Sequence, residues 1–159
     1  MIRISFVCLG NICRSPTAEA VFQKLVNEAN LASAFQLDSA GTSGWHEGEL
    51  ADARSRSVAA SRGVEITSRS RQFLASDFAR FDYVIAMDSK NRRDLEALTA
   101  SEAERSKIYT LREFESPPAP AAEVPDPYYG GDHGFENVLD ICQAASEGLL
   151  EHLRGLHSL

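Results

Sequence analysis

Residues 2–16 read Ile2-Arg3-Ile4-Ser5-Phe6-Val7-Cys8-Leu9-Gly10-Asn11-Ile12-Cys13-Arg14-Ser15-Pro16, and this stretch decides the fold. Residues 2–7 form a short, mostly apolar run that predicts a buried first strand. Gly10-Asn11 predicts a turn, and Ser15 as N-cap with Pro16 at the first helical position announces a helix. A strand, a glycine turn and a helix start in direct succession let several backbone N–H groups converge on one point, which makes a cradle for an anion. Gly10 and Asn11 are the residue types best able to take the left-handed conformations so tight a loop requires. Arg14 completes the cradle with a planar fork that matches two phosphate oxygens, a task a lysine point charge performs less well. Cys8 falls at the bottom of the bowl, facing the helix start. There the partial positive charge, the Arg14 guanidinium and a hydrogen bond from the Ser15 hydroxyl favour thiolate over thiol. A thiolate aimed at a bound phosphorus is a poised nucleophile. Cysteine, five residues, arginine and serine are only moderately specific as a pattern; the strand, turn and helix signals around them raise its weight. A nucleotide-binding loop of the Gly-Lys-Ser/Thr kind is excluded, because no such tripeptide follows.

Outward from this stretch, short apolar runs alternate with longer segments of helical period, the pattern of an α/β domain with a parallel sheet. Ala18, Val21, Phe22, Leu25 and Val26 give the first helix an apolar stripe. Residues 35–39 predict a second strand, 52–62 a helix stopped by Gly63, 82–87 a third strand, 89–98 a helix and 107–111 a short fourth strand. A long loop then runs from Ser116 to Gly134, and such loops inside compact domains are usually functional. Phe135, Val138, Leu139, Cys142, Leu149, Leu150 and Leu153 lie at helical spacing on a last helix that packs on the sheet. The C-terminal ends of the strands form the natural binding face.

The chain has 159 residues, 43% of them hydrophobic and 25% charged, which fits one globular domain over residues 1–159 with a single core. The opening apolar run is too short for a signal-peptide core or a membrane span, so a cytoplasmic protein is expected. Three cysteines without repeated spacing argue against a disulfide framework and suit a reducing compartment. A net charge of −7 argues against nucleic acid or an anionic membrane as the main partner. The distribution matters more than the total: residues 1–18 hold Arg3 and Arg14 and no acid, whereas residues 113–140 hold seven acids and no Lys or Arg. The histidines at 46, 133, 152 and 157 share no ligand spacing with the cysteines, so no metal or other cofactor is expected. The arginines at 54, 56, 62, 69 and 71 read either as guides for acidic phosphopeptides or as a solvated basic face.

Breaking an aryl phosphate ester with a thiolate needs an acid to protonate the departing oxygen, supplied from another loop on the same face. Asp126 is the candidate, since the following Pro127 biases it toward extended conformations; the alternative is that Pro-Asp-Pro is merely a turn, and Glu123 is the runner-up acid. Trp45 in the loop after the second strand, and Tyr128 and Tyr129 beside Asp126, could flank a flat phenyl ring above the cradle, with His46 bordering the pocket.

The run VCLGNICRSPTAEAVF, residues 7–22, together with Asp126-Pro127-Tyr128-Tyr129-Gly130, resembles the low-molecular-weight protein-tyrosine phosphatase family. The likeness extends to Asp38-Ser39-Ala40-Gly41-Thr42, to Arg69-Ser70-Arg71-Gln72 and to Met87-Asp88 with Asn91, and so spans the chain in order. The resemblance implies a four-stranded parallel sheet with helices on both faces and a phosphate-binding loop, Leu9, Gly10, Asn11, Ile12, Cys13 and Ser15, after the first strand. It implies hydrolysis of phosphotyrosine on proteins, and of small aryl phosphates, through a cysteinyl-phosphate on Cys8. Arg14 would bind the phosphoryl oxygens and Asp126 would act first as acid and then as base. Asn11, Ser15 and Ser39 look like the residues that hold the loop in shape. A monomer acting on tyrosine-phosphorylated proteins is the expectation. Where many relatives carry a histidine before the Arg-x-Arg-Gln tract, this chain has Ser68. Ile12 resembles the tyrosine phosphatases, whereas related protein-arginine phosphatases carry Thr there. Cys13 has two readings: a small hydrophobe packed beneath the loop, or, as the resemblance suggests, the partner that captures oxidised Cys8. Cys142 lies on the apolar stripe of the last helix, which points to core packing.

Two rival functions share parts of this pattern. A thioredoxin-coupled arsenate reductase has the same loop type but needs further cysteines downstream, where only Cys142 remains. A silent phosphopeptide-binding module would keep Arg14 and lose the nucleophile or the acid, yet Cys8 and Asp126 are both present.

Overall fold

The computed structural model describes residues 1–119, 123–129 and 133–159. Four strands form one parallel sheet in the order β2-β1-β3-β4: β1 is Ile2–Cys8, β2 Phe35–Gly41, β3 Tyr83–Ala86 and β4 Ile108–Thr110. The helices are α1 (Arg14–Glu28), α2 (Ala53–Ser61), α3 (Ser89–Glu96), α4 (Glu102–Arg105) and α5 (Gly134–His157).

β1 is central and buried on both faces, because side chains alternate across a strand. Ile2, Ile4, Phe6 and Cys8 enter the larger cluster, built with Val21, Phe22 and Val26 of α1 and with Leu139, Leu149 and Leu153 of α5. Val7 enters the other, with Phe73, Phe78, Phe81, Val84 and Leu95. The same alternation that fills both cores therefore puts Cys8 at the C-terminal end of β1, on the face where α1 begins. α1 and α5 lie against each other on that face.

The expected elements are present with shifted ends. β2 continues two residues beyond the expected 35–39, because Gly41 still pairs with Cys8 in the register of β1. The helix expected over 52–62 is Ala53–Ser61, with Asp52 capping it by accepting from the Arg54 N–H and Gly63 at φ 73° following its end. α3 is capped by the Asp88 side chain, which accepts from the Asn91 N–H at 2.7 Å. α4 and a 3-10 turn at Ala75–Ala79 were not expected, being too short to show a period.

One local expectation is overturned. Ser15 is not the N-cap of the first helix: α1 already includes Arg14 and Ser15, and Cys13 holds the cap position without a side-chain bond. The Ser15 hydroxyl is engaged elsewhere, and Pro16 is tolerated because the first-turn N–H groups of a helix have no intrahelical partner.

Candidate active site

The loop from Cys8 to Cys13 is shaped by where its carbonyls go. Cys8 O accepts from Thr42 N at 2.9 Å, Leu9 O from Ser43 N at 3.0 Å and Ser43 Oγ at 3.1 Å, and Ile12 O from Asp52 N at 2.7 Å. Gly10 O accepts from Ser70 Oγ at 3.0 Å, and Cys13 O from Thr17 Oγ1 at 2.6 Å. A trans peptide plane with its C=O turned outward directs its N–H the opposite way. The surrounding elements thus take up the carbonyls and leave the loop amides for the bowl.

Asn11 alone of the loop residues is left-handed, at φ 56°. Its Oδ1 accepts from Arg71 N at 3.1 Å, which fixes the amide so that Nδ2 donates to Ser15 Oγ at 2.7 Å. Ser15 Oγ is 3.0 Å from Cys8 Sγ and 3.3 Å from Ala40 O. Since the serine oxygen already accepts from Asn11, its own proton is free for the sulfur or for that carbonyl. Gly10 is not left-handed, contrary to expectation; a Cβ there would stand 3.1 Å from the His46 ring, which would have to shift by a few tenths of an ångström. At Gly41 a Cβ would stand 2.8 Å from Leu9 O, so β2 can pass this close to the loop only as glycine.

Arg14 is 3% exposed. Its Nη1 donates to Asp88 Oδ2 at 2.5 Å and to Val124 O at 3.1 Å, and its Nη2 lies 3.7 Å from Asp126 Oδ2. Burial works against its charge, but Cys8, Asp88 and Asp126 outweigh that and raise its pKa above the ordinary arginine value. Asp126 Oδ1 accepts from Tyr128 N at 3.0 Å, a turn-closing bond that leaves Oδ2 on the side of Arg14. The segment is a turn, as one reading of Pro-Asp-Pro expected, and that turn places one Asp126 oxygen beside Arg14. Cys8, Leu9, Gly10, Ile12, Cys13, Arg14, Trp45, His46, Asp126 and Tyr128 line one cavity of about 110 Å³.

The family model described as low molecular weight phosphotyrosine protein phosphatase matches residues 3–157. The chain belongs to that family. It is 48% identical to the low molecular weight protein-tyrosine-phosphatase of Streptomyces coelicolor over 96% of this chain and 93% of that one. Among solved structures, a protein tyrosine phosphatase from Entamoeba histolytica matches with a TM-score of 0.92 and 44% identity over 98% of each chain. A Drosophila arginine phosphatase matches at 0.87 and 31%, over 96% of this chain and 98% of that one. The chain is a protein-tyrosine phosphatase, a hydrolase.

In this low molecular weight phosphatase the cavity brings together Cys8, Arg14, Asp126, Trp45, His46 and Tyr128. The Tyr129 side chain lies outside the described residues. Trp45 is 76% exposed and forms rim rather than wall. Glu123, the runner-up acid, is turned to the start of α3, where it accepts from Ser89 N at 3.4 Å. Ser39, expected to support the loop, donates instead to Glu19 Oε1 at 2.9 Å, and β2 reaches Ser15 through the Ala40 carbonyl. Ser68, in place of a histidine, also hydrogen-bonds Glu19.

Four site residues escaped the sequence reading of roles: Asp88, Ser70, Arg71 and Asp52. Asp88 carried a signal, since a buried arginine needs a counter-charge and Asp88 follows β3 on the binding face. Ser70 and Arg71 belonged to a tract of the family likeness, but their contacts were not legible, because each meets the loop across a separation of 60 residues. The five arginines carry local partners: Arg54 pairs with Asp52, Arg62 with Asp140 and Arg71 with Asp38 and Asp77, while Arg56 and Arg69 donate to the carbonyls of Ala51 and Gly48; Arg54, Arg62 and Arg69 remain exposed. Each is tied to a specific local partner.

Proposed function

We propose that this phosphatase hydrolyses phosphotyrosine on proteins with Cys8 as nucleophile, Arg14 as phosphate clamp and Asp126 as acid and base. The observation that carries the reading is the 3.0 Å approach of Ser15 Oγ to Cys8 Sγ at the base of a loop whose carbonyls are engaged from outside. In the first step the Cys8 thiolate attacks phosphorus, the P–O bond to the phenol breaks, and Asp126 gives its proton to the departing oxygen. Arg14 and the loop amides hold the equatorial oxygens. In the second step water attacks the cysteinyl-phosphate, Asp126 takes a proton from it, and the S–P bond breaks to return the thiolate and inorganic phosphate. The 3.7 Å separation of Asp126 from Arg14 is close enough for the carboxyl to stand over the same phosphoryl group.

Tyr128 and Trp45 at the mouth favour a flat aromatic leaving group over an aliphatic one, and Ile12 in the lining resembles the tyrosine rather than the arginine phosphatases. Cys142 is fully buried, with burial pushing its thiol up to about 12, so it is poorly suited to the relay an arsenate reductase needs. Three free cysteines support a reducing, cytoplasmic setting. Among the described residues no helix is long and apolar enough to cross a membrane.

The test is turnover of an aryl phosphate in the presence of a chelator, run beside arsenate reduction with thioredoxin. Cys8→Ser should abolish hydrolysis while vanadate still binds, and Arg14→Lys should fare almost as badly because lysine cannot make the bidentate contact. Activity near wild type in Cys8→Ser would sink the mechanism.

A further inference from the structure

Arg54 does not line the cavity, yet its side chain touches elements from both of its halves. Nε and Nη2 donate to Asp52 Oδ1 and Oδ2 at 3.1 and 3.0 Å. Asp52 caps α2 and donates its own N–H to the Ile12 carbonyl of the cradle at 2.7 Å. On its other side the guanidinium carbon lies 4.5 Å from the centre of the Phe135 ring and 5.5 Å from that of Tyr128. Phe135 is buried in the first turn of α5, and Tyr128 closes the turn around Asp126 through its N–H. One cation therefore connects the capped start of α2, fixed to the phosphate loop, with the aromatic pair that follows the candidate acid.

Glu123 and Val124 tie the segment down upstream of Asp126. Val124 N donates to Met87 O at 2.9 Å, Val124 O accepts from Arg14, and Glu123 O accepts from Arg112 at 3.0 Å, all upstream of Asp126. Downstream, Pro127 is buried against the start of α5 at Gly134, and Arg54 adds a contact from across the cavity mouth. A 35% exposed carboxylate loses its aim when its turn is loosened, and catalysis by a general acid falls quickly with misplacement.

We propose that Arg54 is a positioning residue for the general acid: through Asp52 on one side and the Tyr128 and Phe135 rings on the other, it holds the Asp126 turn over the cradle. This rests on the reading of Asp126 as the acid. Arg54→Met keeps the stem and removes the charge, and Arg54→Lys keeps a cation. Both would be measured with the phosphorylation step isolated by pre-steady-state bursts, across aryl phosphates of graded leaving-group pKa. Inhibition by inorganic phosphate and hydrogen exchange over residues 123–129 complete the set. Arg54→Met should lose roughly threefold to tenfold in rate for the most basic leaving groups and little for the most activated. It should leave phosphate inhibition unchanged, speed exchange over 123–129, and add nothing in an Asp126→Asn background. Arg54→Lys should recover most of the loss. A loss equal for all leaving groups with weakened phosphate inhibition would overturn the proposal and make Arg54 a support of the cradle through Asp52. Unchanged exchange over 123–129 would overturn it too. Asp126→Asn alone decides the acid reading: if its penalty does not grow with leaving-group pKa, that reading falls and the catalytic part of the proposal with it, whatever the exchange shows.

Discussion

Glu19 sits on α1 behind the cradle, half-buried, with Ser39 and Ser68 donating to its carboxylate. Burial raises its pKa above the ordinary carboxylate value; the two serines and Arg71 pull it down, and Asp38 pushes it up. An acid whose folded pKa is raised binds its proton more tightly in the folded state, so its favourable contribution is present below its unfolded value, about 4.3, and is lost as pH rises through the raised folded value. At neutral pH the ionised Glu19 therefore costs stability. Ser68→His would place an imidazole beside the Glu19 carboxylate, and each group then favours the charged form of the other. We expect it to raise Tm at pH 7 by roughly 2–4 °C, with a smaller gain near pH 4 where Glu19 is protonated. A gain independent of pH, followed by thermal melts from pH 4 to 8, would mean that the histidine acts by packing alone. At Cys13 burial dominates, pushing the thiol up to about 12 with a hydrogen bond from Ser55 opposing. Its burial suits packing beneath the loop, while its place in the same loop as Cys8 keeps disulfide capture open; mass spectrometry after mild peroxide decides between them.

At the scale of elements, the cradle is an assembly of four segments rather than a property of its own loop. β2 supplies the strand end at Gly41, the residues after it bind two carbonyls, α2 begins with the amide that binds Ile12, and the tract around Ser70 and Arg71 binds Gly10 and Asn11. This division explains why the loop's chemistry was legible and its supports were not. Cysteine, arginine, serine and the strand before them are contiguous, whereas Ser70 is 4% exposed for a reason that lies far away in the chain. Ser70→Ala leaves the Gly10 carbonyl without its donor, at a cost of about 1–3 kcal/mol if no water replaces it. The expected outcome is a several-fold weaker inhibition by phosphate together with a lower Tm. Ser39→Ala, whose hydroxyl serves Glu19, should leave phosphate inhibition close to wild type. If the two variants weaken phosphate equally, Ser39 does support the loop.

For the whole molecule, the cavity is narrow at its base and edged by rings at its mouth, with Trp45 76% and Tyr128 41% exposed. A phosphoserine would leave its phosphorus above Cys8 or draw peptide backbone down between the rings. Phosphotyrosine peptides should therefore exceed matched phosphoserine peptides in kcat/KM by roughly 10²-fold or more. Equal values would defeat the aromatic-slot reading without touching the assignment of Cys8. The sequence by itself determined the parallel α/β sheet, because buried strands and amphipathic helices are written in local periodicity. It also pointed to the candidate nucleophile and clamp, because strand, turn and helix start follow one another within 15 residues, from Ile2 to Pro16. Asp126 was legible as a candidate acid and no more, since its role depends on which oxygen faces Arg14. Only the tertiary structure decided that Cys13 rather than Ser15 stands at the cap of α1, that Gly10 lies against the His46 ring without a left-handed turn, and that Asp88 balances Arg14. The contacts of Gly10 with His46 and of Arg14 with Asp88 join segments distant in the chain, fixed by where the sheet and helices bring them, and no local propensity encodes them.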